Sequence, residues 1–394
     1  MHSVTARTAV EVGLERFVRD GPAWSQPRRA GLLTNQSAVD HHLDHAIDLL
    51  RACEGVRLVA LFGPEHGVRG SAQAGEAVTS RVDERSGLPA HSLYGATRRP
   101  APETLQDLDI LLYDVQDVGV RYATYASTLL EAMRAAADAK IGFVVLDRPN
   151  PLNGRAVQGN VLEPGHESFV GVFPLAVRHG LTVGELAALM NDRLDLGLDL
   201  TVVPLRGWRR SLWYDETGLP WVAPAPNLPT LAALTLYPGT CLIEGTTLSE
   251  GRGTTTPFEV VGAPWLNADA LTRRLRAAAL PGAGFRPTTF APMFSKHAGD
   301  VCQGVHIHVI DRGRLDSAAL GVYLLDEIRD LHPDEFQWLP AREGSAPFID
   351  LLAGGPALRH ALDAATPAAD IVASWRADHA RVARLCAPYL LYPE

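Results

Sequence analysis

Lysine is nearly absent from this 394-residue sequence: it occurs only at Lys140 and Lys296, and arginine supplies the other basic residues. The formal net charge is −9. Non-specific binding to nucleic acid or to a membrane surface needs a basic surface, so this charge argues against both kinds of partner. No apolar run approaches the ~18 residues that a membrane span requires. We therefore expect a globular protein with no nucleic-acid or membrane partner.

Cysteine is equally sparse, and its four copies lie far apart in the chain, at Cys53, Cys241, Cys302 and Cys386. The absence of paired spacing argues against a disulfide framework and against a zinc site of the CxxC type. Scattered thiols are typical of buried cysteines in a reducing compartment. The first ten residues also contain no apolar segment of the kind found in signal peptides. These features predict a cytoplasmic protein.

Three motifs that bind nucleotides or activate a serine are also missing. No GxGxxG follows the first predicted strand, where the sequence has Thr34-Asn35-Gln36-Ser37 instead. Neither a GxxxxGK[ST] phosphate loop nor a GxSxG nucleophile motif occurs. We therefore expect no cofactor and no serine nucleophile, and we assign no metal ligand.

The first half of the chain alternates short apolar runs with helical patterns. Strands are predicted at Ala30–Thr34, Val56–Phe62, Leu108–Val115, Ile141–Leu146 and Leu200–Leu205. Helices are predicted at Asp44–Cys53, Tyr125–Ala139 and Val183–Leu194. Strands that alternate with helices indicate βαβ units, and hence an α/β fold with a parallel sheet.

A chain of this length exceeds a single hydrophobic core, which stops growing near ~250–300 residues. The pattern changes after Trp265, so we divide the chain into residues 1–265, the parallel-sheet domain, and residues 266–394, a smaller α+β domain. Its predicted elements are the helix Asp269–Leu280, the strands Phe285–Ala291 and Gly304–Ile310, and the helices Ser317–Leu331, Pro356–Ala364 and Ala368–Leu385. His306 and His308 share one strand face, which we interpret as a solvated face in preference to a metal-binding pair.

Polar residues follow four of the predicted strands at their carboxyl ends. They are Thr34–Ser37, Glu65 and His66 after Gly63-Pro64, Asp114–Asp117, and Asp147–Gly154. In an open parallel sheet these ends lie along one edge, where ligands bind. The sequence therefore predicts a site at this edge, rich in carboxylates and amides.

Two later segments are expected to cover that site. The first, Trp208–Pro229, is rich in proline and tryptophan, and either lies over the site with its aromatic faces or packs on the domain as a surface loop. The second surrounds Glu250 and Arg252 with glycine and threonine, as expected of a loop that closes on a polar ligand.

Six segments in one order resemble the exo-β-N-acetylmuramidase family: Gly31–Val39, Leu61–Gly67, Gly87–Gly95, Asp114–Tyr122, Val145–Gly154 and Leu248–Thr255. Members of this family release N-acetylmuramic acid (MurNAc) from the non-reducing end of peptidoglycan fragments. The resemblance implies a Rossmann-like domain, a smaller C-terminal domain and an active-site cleft between them, without a nucleotide cofactor. A cytoplasmic member would act on recycled muropeptides such as MurNAc-GlcNAc.

Glycoside hydrolysis usually needs two carboxyl groups. We choose Glu65 as the general acid, since a glutamate at an apolar strand exit should have a raised pKa. Alternatively, His66 pairs with Glu65, lowers that pKa and favours a base. For the second carboxylate we favour Asp114, with Asp117 as the next candidate. In a substrate-assisted mechanism an aspartate would instead position the 2-acetamido group.

The remaining candidates are assigned to substrate binding. The lactyl carboxylate of MurNAc would be recognised by Arg148, Arg121 or Arg252, each of which could instead form a structural ion pair. The other expected contacts to the amino sugar come from polar side chains of the same edge and loops: Asn35, His66, Gln116, Tyr125, Asp147, Asn150, Asn153 and Glu250.

Two other functions stay open at this point. One is a non-catalytic amino-sugar or muropeptide-binding protein on the same fold. The other is a metal-dependent hydrolase with Glu65, His66, Asp114 and Asp117 as ligands. The sequence also leaves the oligomeric state open, with a homo-oligomer as one option.

Overall fold

The computed structural model describes residues 10–394. The expectation about a signal peptide concerns residues 1–9, which lie outside the described residues. The strands are β1 (Arg28–Thr34), β2 (Val56–Gly63), β3 (Arg81–Val82), β4 (Pro89–Ser92), β5 (Ile110–Asp114), β6 (Gly142–Leu146), β7 (Gln158–Val161), β8 (Ala176–Arg178), β9 (Leu200–Val203), β10 (Val260–Ala263), β11 (Ala283–Phe290) and β12 (Cys302–Val309).

The helices are α1 (Gly13–Asp20), α2 (Ala46–Ala52), α3 (Pro102–Leu105), α4 (Thr124–Ala139), α5 (Val183–Arg193), α6 (Leu231–Thr240), α7 (Ala268–Ala277), α8 (Ser317–Leu331), α9 (Phe348–Ala353), α10 (Ala357–Asp363), α11 (Ala368–Ser374) and α12 (Arg376–Cys386). Short 3₁₀ helices occur at Tyr214–Glu216, Cys241–Gly245 and Ala387–Tyr389. No helix in residues 10–394 has the length and apolar character needed to cross a membrane.

The larger sheet has the strand order β3-β4-β2-β1-β5-β6-β9, and only the β3–β4 pair is antiparallel. Counting β1, β2, β5, β6 and β9 along the chain, the order is 2-1-3-4-5, which is the flavodoxin-like order of doubly wound sheets. The order reverses between β1 and β5. Ligands of such sheets bind outside the carboxyl ends of the strands at this switch point.

Helices cover both faces of this sheet, which explains why its strands are apolar almost throughout. Along β1, Leu32 faces α1 and α2, whereas Leu33 belongs to the core beneath α4 and α5. Leu112 and Tyr113 alternate in the same way along β5. Each fully buried side chain of this size contributes roughly 1.5–3 kcal/mol. The predicted parallel α/β sheet is confirmed.

A smaller antiparallel sheet, β10-β12-β11, packs with α6, α7 and α8 around a separate core. The smaller unit is therefore confirmed as well. Helix α8 has the predicted bounds, and the side chain of its N-cap residue Asp316 accepts a hydrogen bond from the amide of Ala319 at 3.0 Å. Residues 260–263 already belong to this sheet; the expected domain boundary at residue 265 stays a prediction.

Two predicted helical features differ in the structure. The helix expected over Ala368–Leu385 is two helices, α11 and α12, which meet at the buried residue Trp375. Helix α6 was missed because its sequence, LAALTLYPGT, has no polar face. A helix buried on all sides lacks the amphipathic period that sequence patterns detect.

Helices α6 and α8 make backbone contact where they cross. A side-chain carbon on Gly239 would overlap the carbonyl oxygen of Ser317, and one on Gly321 would overlap the carbonyl oxygen of Gly239. Neither neighbour is the movable end of a side chain. Glycine is therefore required at both positions for this crossing.

We expect Gly239→Ala to lower the free energy of unfolding by about 1–3 kcal/mol or more, because the added methyl must push two backbones apart. Urea denaturation measures the change. Gly142→Ala is the matched control, since its added carbon would lie 3.5 Å from the side chain of Ile110, an ordinary contact distance. Equal effects of the two substitutions would contradict the close crossing.

Candidate active site

The turn after β2 presents Glu65 at the sheet edge. The amide of Gly67 donates to the carbonyl of Pro64 at 2.9 Å, and His66 has a φ of +73°. A positive φ at the third residue of a hydrogen-bonded turn is typical of type II, which usually places glycine there. A histidine in this conformation is uncommon. The turn fixes the direction in which Glu65 leaves the strand.

The carboxylate of Glu65 is held at the beginning of α4. Its Oε2 accepts a hydrogen bond from the hydroxyl of Thr124, the first residue of that helix, at 2.7 Å. Its Oε1 accepts from the amide of Gly75 at 3.0 Å. The positive end of a helix dipole favours a negative charge at this place. Glu65 therefore has one fixed position between two chain segments.

His66 follows Glu65 in the turn and is buried. Its Nδ1 lies 2.8 Å from the carbonyl oxygen of Ala72. A carbonyl can only accept, so Nδ1 carries the proton. Burial is the main cause that lowers the pKa of His66; the charge of Arg252 acts in the same direction, and the charge of Glu65 opposes both. Within residues 10–394 no ion pair joins His66 to Glu65, and the alternative in which His66 pairs with Glu65 and favours a base stays a prediction.

The switch point between β1 and β5 is filled by the protein itself. The amide nitrogen of Asn35 lies 3.1 Å from the hydroxyl of Tyr125, which donates to the carbonyl of Pro224. The side-chain amide of Gln36 donates to the carbonyl of Ala223 at 2.9 Å. The backbone of the proline- and tryptophan-rich segment thus lies over the switch point.

The tryptophans of that segment pack on the protein instead. Trp208 belongs to the core beneath α1 and α2, and Trp213 to the core of the smaller unit. The guanidinium of Arg178 lies 5.0 Å from the ring centroid of Trp213. Both expectations for the segment therefore hold in part: its backbone covers the site edge, and these two tryptophans are structural.

Asp114 and Arg148 form a buried, bidentate ion pair. Arg148 Nε and Nη2 lie 2.5 and 3.0 Å from Asp114 Oδ1 and Oδ2, and the two side chains are 3% and 0% exposed. Arg148 Nη1 also donates to the carbonyl of Val39 at 3.0 Å. This pair links the chain after β1 to the ends of β5 and β6. It matches the structural alternative for Arg148.

Asp117 is buried with one free oxygen. Its Oδ2 accepts from the amide of Gly119 at 2.7 Å, while Oδ1 has no partner among the described residues. Burial raises the pKa of Asp117 to about 6. The neighbouring Gln116 is engaged with the backbone, since its Nε2 donates to the carbonyls of Asp117 and Pro149, each at 2.8 Å.

Asp147 is attached to the beginning of α5. Its Oδ1 accepts from the amides of Arg148 and Gly184 at 2.9 and 2.8 Å, and its Oδ2 accepts from the hydroxyls of Thr182 and Tyr392. Burial raises the pKa of Asp147 to about 7. With four donors on two oxygens, Asp147 has no free position for a ligand.

Asn150 and Asn153 stabilise the loop after β6. Asn150 donates to the carbonyl of Leu181 at 2.9 Å and accepts from the amide of Leu152 at 3.0 Å. Asn153 accepts from the amide of Arg155 at 3.0 Å. Both side chains are buried. Both side chains therefore use these hydrogen bonds to bind backbone groups of the protein.

Arg121 is bonded to carbonyl groups and not to a carboxylate. Its Nη1 donates to the carbonyls of Asn160 and Leu175 at 2.8 and 2.9 Å, and its Nη2 donates to that of Leu352 at 2.9 Å. Burial lowers the pKa of Arg121 to about 10. The side chain joins the β7–β8 hairpin to α9.

Arg252 approaches the Glu65 turn from the smaller unit. It pairs with Glu244 at 3.0 Å and with Glu250 at 3.3 Å, and Glu250 also pairs with Lys296 at 2.8 Å. The charge of Arg252 also lowers the pKa of His66, with burial as the larger cause. Glu65 and His66 share the turn, and most of the other predicted residues bond within the protein, although Asp117 Oδ1 and Gln116 Oε1 have no partner among the described residues.

Two residues of the site were not singled out from the sequence. Thr124 binds Glu65 directly, and Tyr94 lies beside it: burial raises the pKa of Tyr94 to about 12, with the charge of Glu65 acting in the same direction. Tyr94 lies in the Gly87–Gly95 segment that carried part of the resemblance. No sequence pattern indicated that the hydroxyl of Tyr94 lies beside Glu65.

The proposed metal ligands do not form a group. In residues 10–394, the His, Cys, Asp and Glu side chains whose ligand atoms lie within 4.8 Å of one another are Glu15, Asp40 and His41, away from Glu65. On β12, the rings of His306 and His308 stack at 4.2 Å beside the exposed Arg286.

The fold and the site define an α/β protein with a carboxylate at a strand end of a doubly wound sheet. Two family models match the chain: "Exo-beta-N-acetylmuramidase NamZ, N-terminal" over residues 30–232 and "C-terminal" over residues 235–392. The chain belongs to this exo-β-N-acetylmuramidase family, as its sequence motifs predicted.

Individual relatives agree with this assignment. The peptidoglycan β-N-acetylmuramidase NamZ of Bacillus subtilis is 43% identical over 383 residues, which cover 97% of this chain and 91% of that protein. Crystal structures of two DUF1343 family proteins from Bacteroides fragilis have TM-scores of 0.89 and 0.78, at 37% and 30% identity. Each match covers 98% of this chain and 100% of the other.

Asp114→Asn should lower the free energy of unfolding by about 3–5 kcal/mol, because it leaves the buried guanidinium of Arg148 without its counter-charge. Urea denaturation near neutral pH measures this loss. Asp138→Asn is the control, since Asp138 pairs with Arg99 on the surface, where the expected change is below about 1 kcal/mol. A loss no larger than the control's would show that the pair is not a structural requirement.

Asp117 should make stability depend on pH. Its folded-state pKa of about 6 lies above its ordinary value, so its contribution is fully present below pH 3.8 and is lost as the pH rises through 6. Asp117→Asn removes this loss. Between pH 4 and pH 7.5 the variant should therefore gain up to about 3 kcal/mol relative to the parent.

Unfolding midpoints in urea across this pH range check the expectation for Asp117. The exposed Asp138→Asn variant should follow the parent at every pH. A constant difference between Asp117→Asn and the parent would show that Asp117 does not titrate in this range.

Proposed function

We propose that this protein is an exo-acting glycosidase that releases β-linked MurNAc from the non-reducing end of peptidoglycan fragments such as MurNAc-GlcNAc. The observation that carries the proposal is Glu65, held in one position at the sheet edge by hydrogen bonds from Thr124 and Gly75. The B. subtilis relative, a peptidoglycan β-N-acetylmuramidase 43% identical to this chain, supports the same substrate class.

Glu65 is the residue we assign to proton transfer. A general acid in glycoside hydrolysis donates its proton to the leaving oxygen, and in retaining enzymes the same residue later acts as the base. A threonine hydroxyl both donates and accepts hydrogen bonds. Thr124 can therefore bind Glu65 in its charged and its neutral form, which supports a residue that changes protonation state during the reaction.

Asp117 is a better candidate than Asp114 for the second carboxylate. Asp114 has both oxygens on Arg148, whereas Asp117 keeps one oxygen without a partner among the described residues. Both candidate groups act on Tyr125: burial raises its pKa, and the charges of Glu65 and Asp117 act in the same direction. Asp117 would act directly, or would orient the 2-acetamido group in a substrate-assisted mechanism.

The proposal also includes the compartment, the charge of the substrate and the oligomeric state. A cytoplasmic protein that acts on recycled muropeptides is supported by four cysteines that are free and buried. The net charge of −9 supports a small anionic or neutral substrate over nucleic acid or a membrane surface. A homo-oligomer stays a prediction from the sequence.

Glu65→Gln should lower kcat/KM for an aryl β-MurNAc by about 10²–10⁴-fold, since the side-chain amide cannot transfer the proton. Binding of MurNAc-GlcNAc, measured by calorimetry, should be retained because the amide keeps the size of the side chain. Glu103→Gln in α3 is the control, with an exposed glutamate and unchanged kinetics. NMR of the first anomer released distinguishes retention from inversion.

Other results would point to the alternatives. An unsubstituted protein that binds MurNAc-GlcNAc but hydrolyses neither it nor the aryl substrate would be a sugar-binding protein. Loss of activity on exhaustive chelation, restored by a divalent metal, would favour the metal-dependent hydrolase. Faster hydrolysis of an aryl β-GlcNAc than of aryl β-MurNAc would contradict the MurNAc assignment.

A further inference from the structure

The three arginines that the sequence offered for recognition of the lactyl carboxylate are already engaged. Arg148 binds Asp114, Arg252 binds Glu244 and Glu250, and Arg121 donates to three backbone carbonyls. A ligand carboxylate would have to replace these partners. A cation that is free and accessible beside Glu65 would meet the requirement without that cost.

Arg98 is such a cation. It is exposed, and its guanidinium carbon lies 4.1 Å from the ring centroid of Phe169 and 5.6 Å from that of Tyr94. Within residues 10–394 its side chain makes no ion pair and no hydrogen bond, whereas the adjacent Arg99 pairs with Asp138. Stacking on an aromatic ring orients the planar group and leaves its N–H edges open.

Helix α4 connects Glu65 to the segment that carries Phe169. Thr124, at the beginning of the helix, donates to Glu65. Ser127 lies three residues further along and donates to the carbonyl of Phe169 at 2.6 Å. The backbone of Phe169, whose ring supports Arg98, is therefore attached about one helical turn from the residue that holds Glu65.

Tyr94 connects the same two groups from the other side. Its pKa is raised by burial and by Glu65, and the charges of Arg98 and Arg342 act in the opposite direction. Tyr94 is therefore close to both groups: its ring centroid lies 5.6 Å from the guanidinium carbon of Arg98, and Glu65 acts on its hydroxyl. Both Tyr94 and α4 thus connect Glu65 to the stacked side chains of Arg98 and Phe169.

We infer that Arg98, stacked on Phe169, binds the lactyl carboxylate of the MurNAc residue whose glycosidic bond is cleaved at Glu65. The inference rests on the proposed function. The lactyl ether is carried by C3 of the same sugar ring as the anomeric carbon, so its binding group must lie beside the catalytic carboxylate. A guanidinium edge binds a carboxylate with two parallel hydrogen bonds, which a neutral carboxamide cannot reproduce.

The test compares aryl β-MurNAc with its lactyl carboxamide, which has the same shape and no charge. We expect the unsubstituted protein to prefer the acid. Arg98→Gln should raise KM for the acid by about 10- to 100-fold, the range for a hydrogen bond to a charged group, and change kcat only a few-fold. KM for the carboxamide should not change, so the preference disappears.

Two further variants separate charge, geometry and fold. Arg98→Lys keeps the charge but loses the planar donor edge, so it should restore only part of the preference. Arg99→Gln is the matched control, because its pair with Asp138 is on the surface, and it should keep the kinetics of the parent.

Failure of the inference and failure of the proposed function have different signatures. If Arg98→Gln retains the preference for the acid, or weakens hydrolysis of both substrates equally, the inference is overturned while the glycosidase stands. If the unsubstituted protein hydrolyses neither substrate, the proposed function fails. Calorimetry with free MurNAc and GlcNAc then tests Arg98 independently, and unchanged discrimination in Arg98→Gln overturns the inference.

Discussion

The buried ion pair between Asp114 and Arg148 is the interaction on which the site edge depends. It joins the ends of β5 and β6, and through the carbonyl of Val39 it also reaches the chain that follows β1. Three neighbouring strand ends are thereby fixed to one another. Both charges are out of water, so each is tolerable only with the other present. The polar groups nearest the switch point are consequently part of the framework.

Because these groups are bonded to one another, the candidate catalytic residue lies outside the switch point. The crevice between β1 and β5, where doubly wound proteins usually bind ligands, is occupied by Asn35, Tyr125 and the carbonyl of Pro224. Glu65 lies at the end of β2, the next strand outward, and is positioned by the beginning of α4. The proposed division is between charged groups that hold the sheet edge in ion pairs and a few groups, Glu65 and Arg98 among them, that have no ion-pair partner among the described residues.

Much of the fold was predictable, and less of the site. The strands around Leu33 and Tyr113 were found because apolar runs between turn residues are local features. Helix α6 and strand β10 were missed, since neither has a polar face or a distinctive boundary. The Glu65 turn was recognised from Gly63-Pro64 and the residues after it. Arg98 was not, because its importance depends on Phe169, a residue far away in the chain.

The sequence by itself determined the alternation of strands and helices, the family and the polar residues that end each strand, because periodicity and turn chemistry act over a few neighbours. Only the tertiary structure decided which of those polar groups form ion pairs or hydrogen bonds within the protein. Arg148 meets Asp114 from 34 residues away, and Arg121 meets Leu352 from 231. Such pairings follow from the packing of whole elements, and no local pattern encodes whether a charge is paired or free.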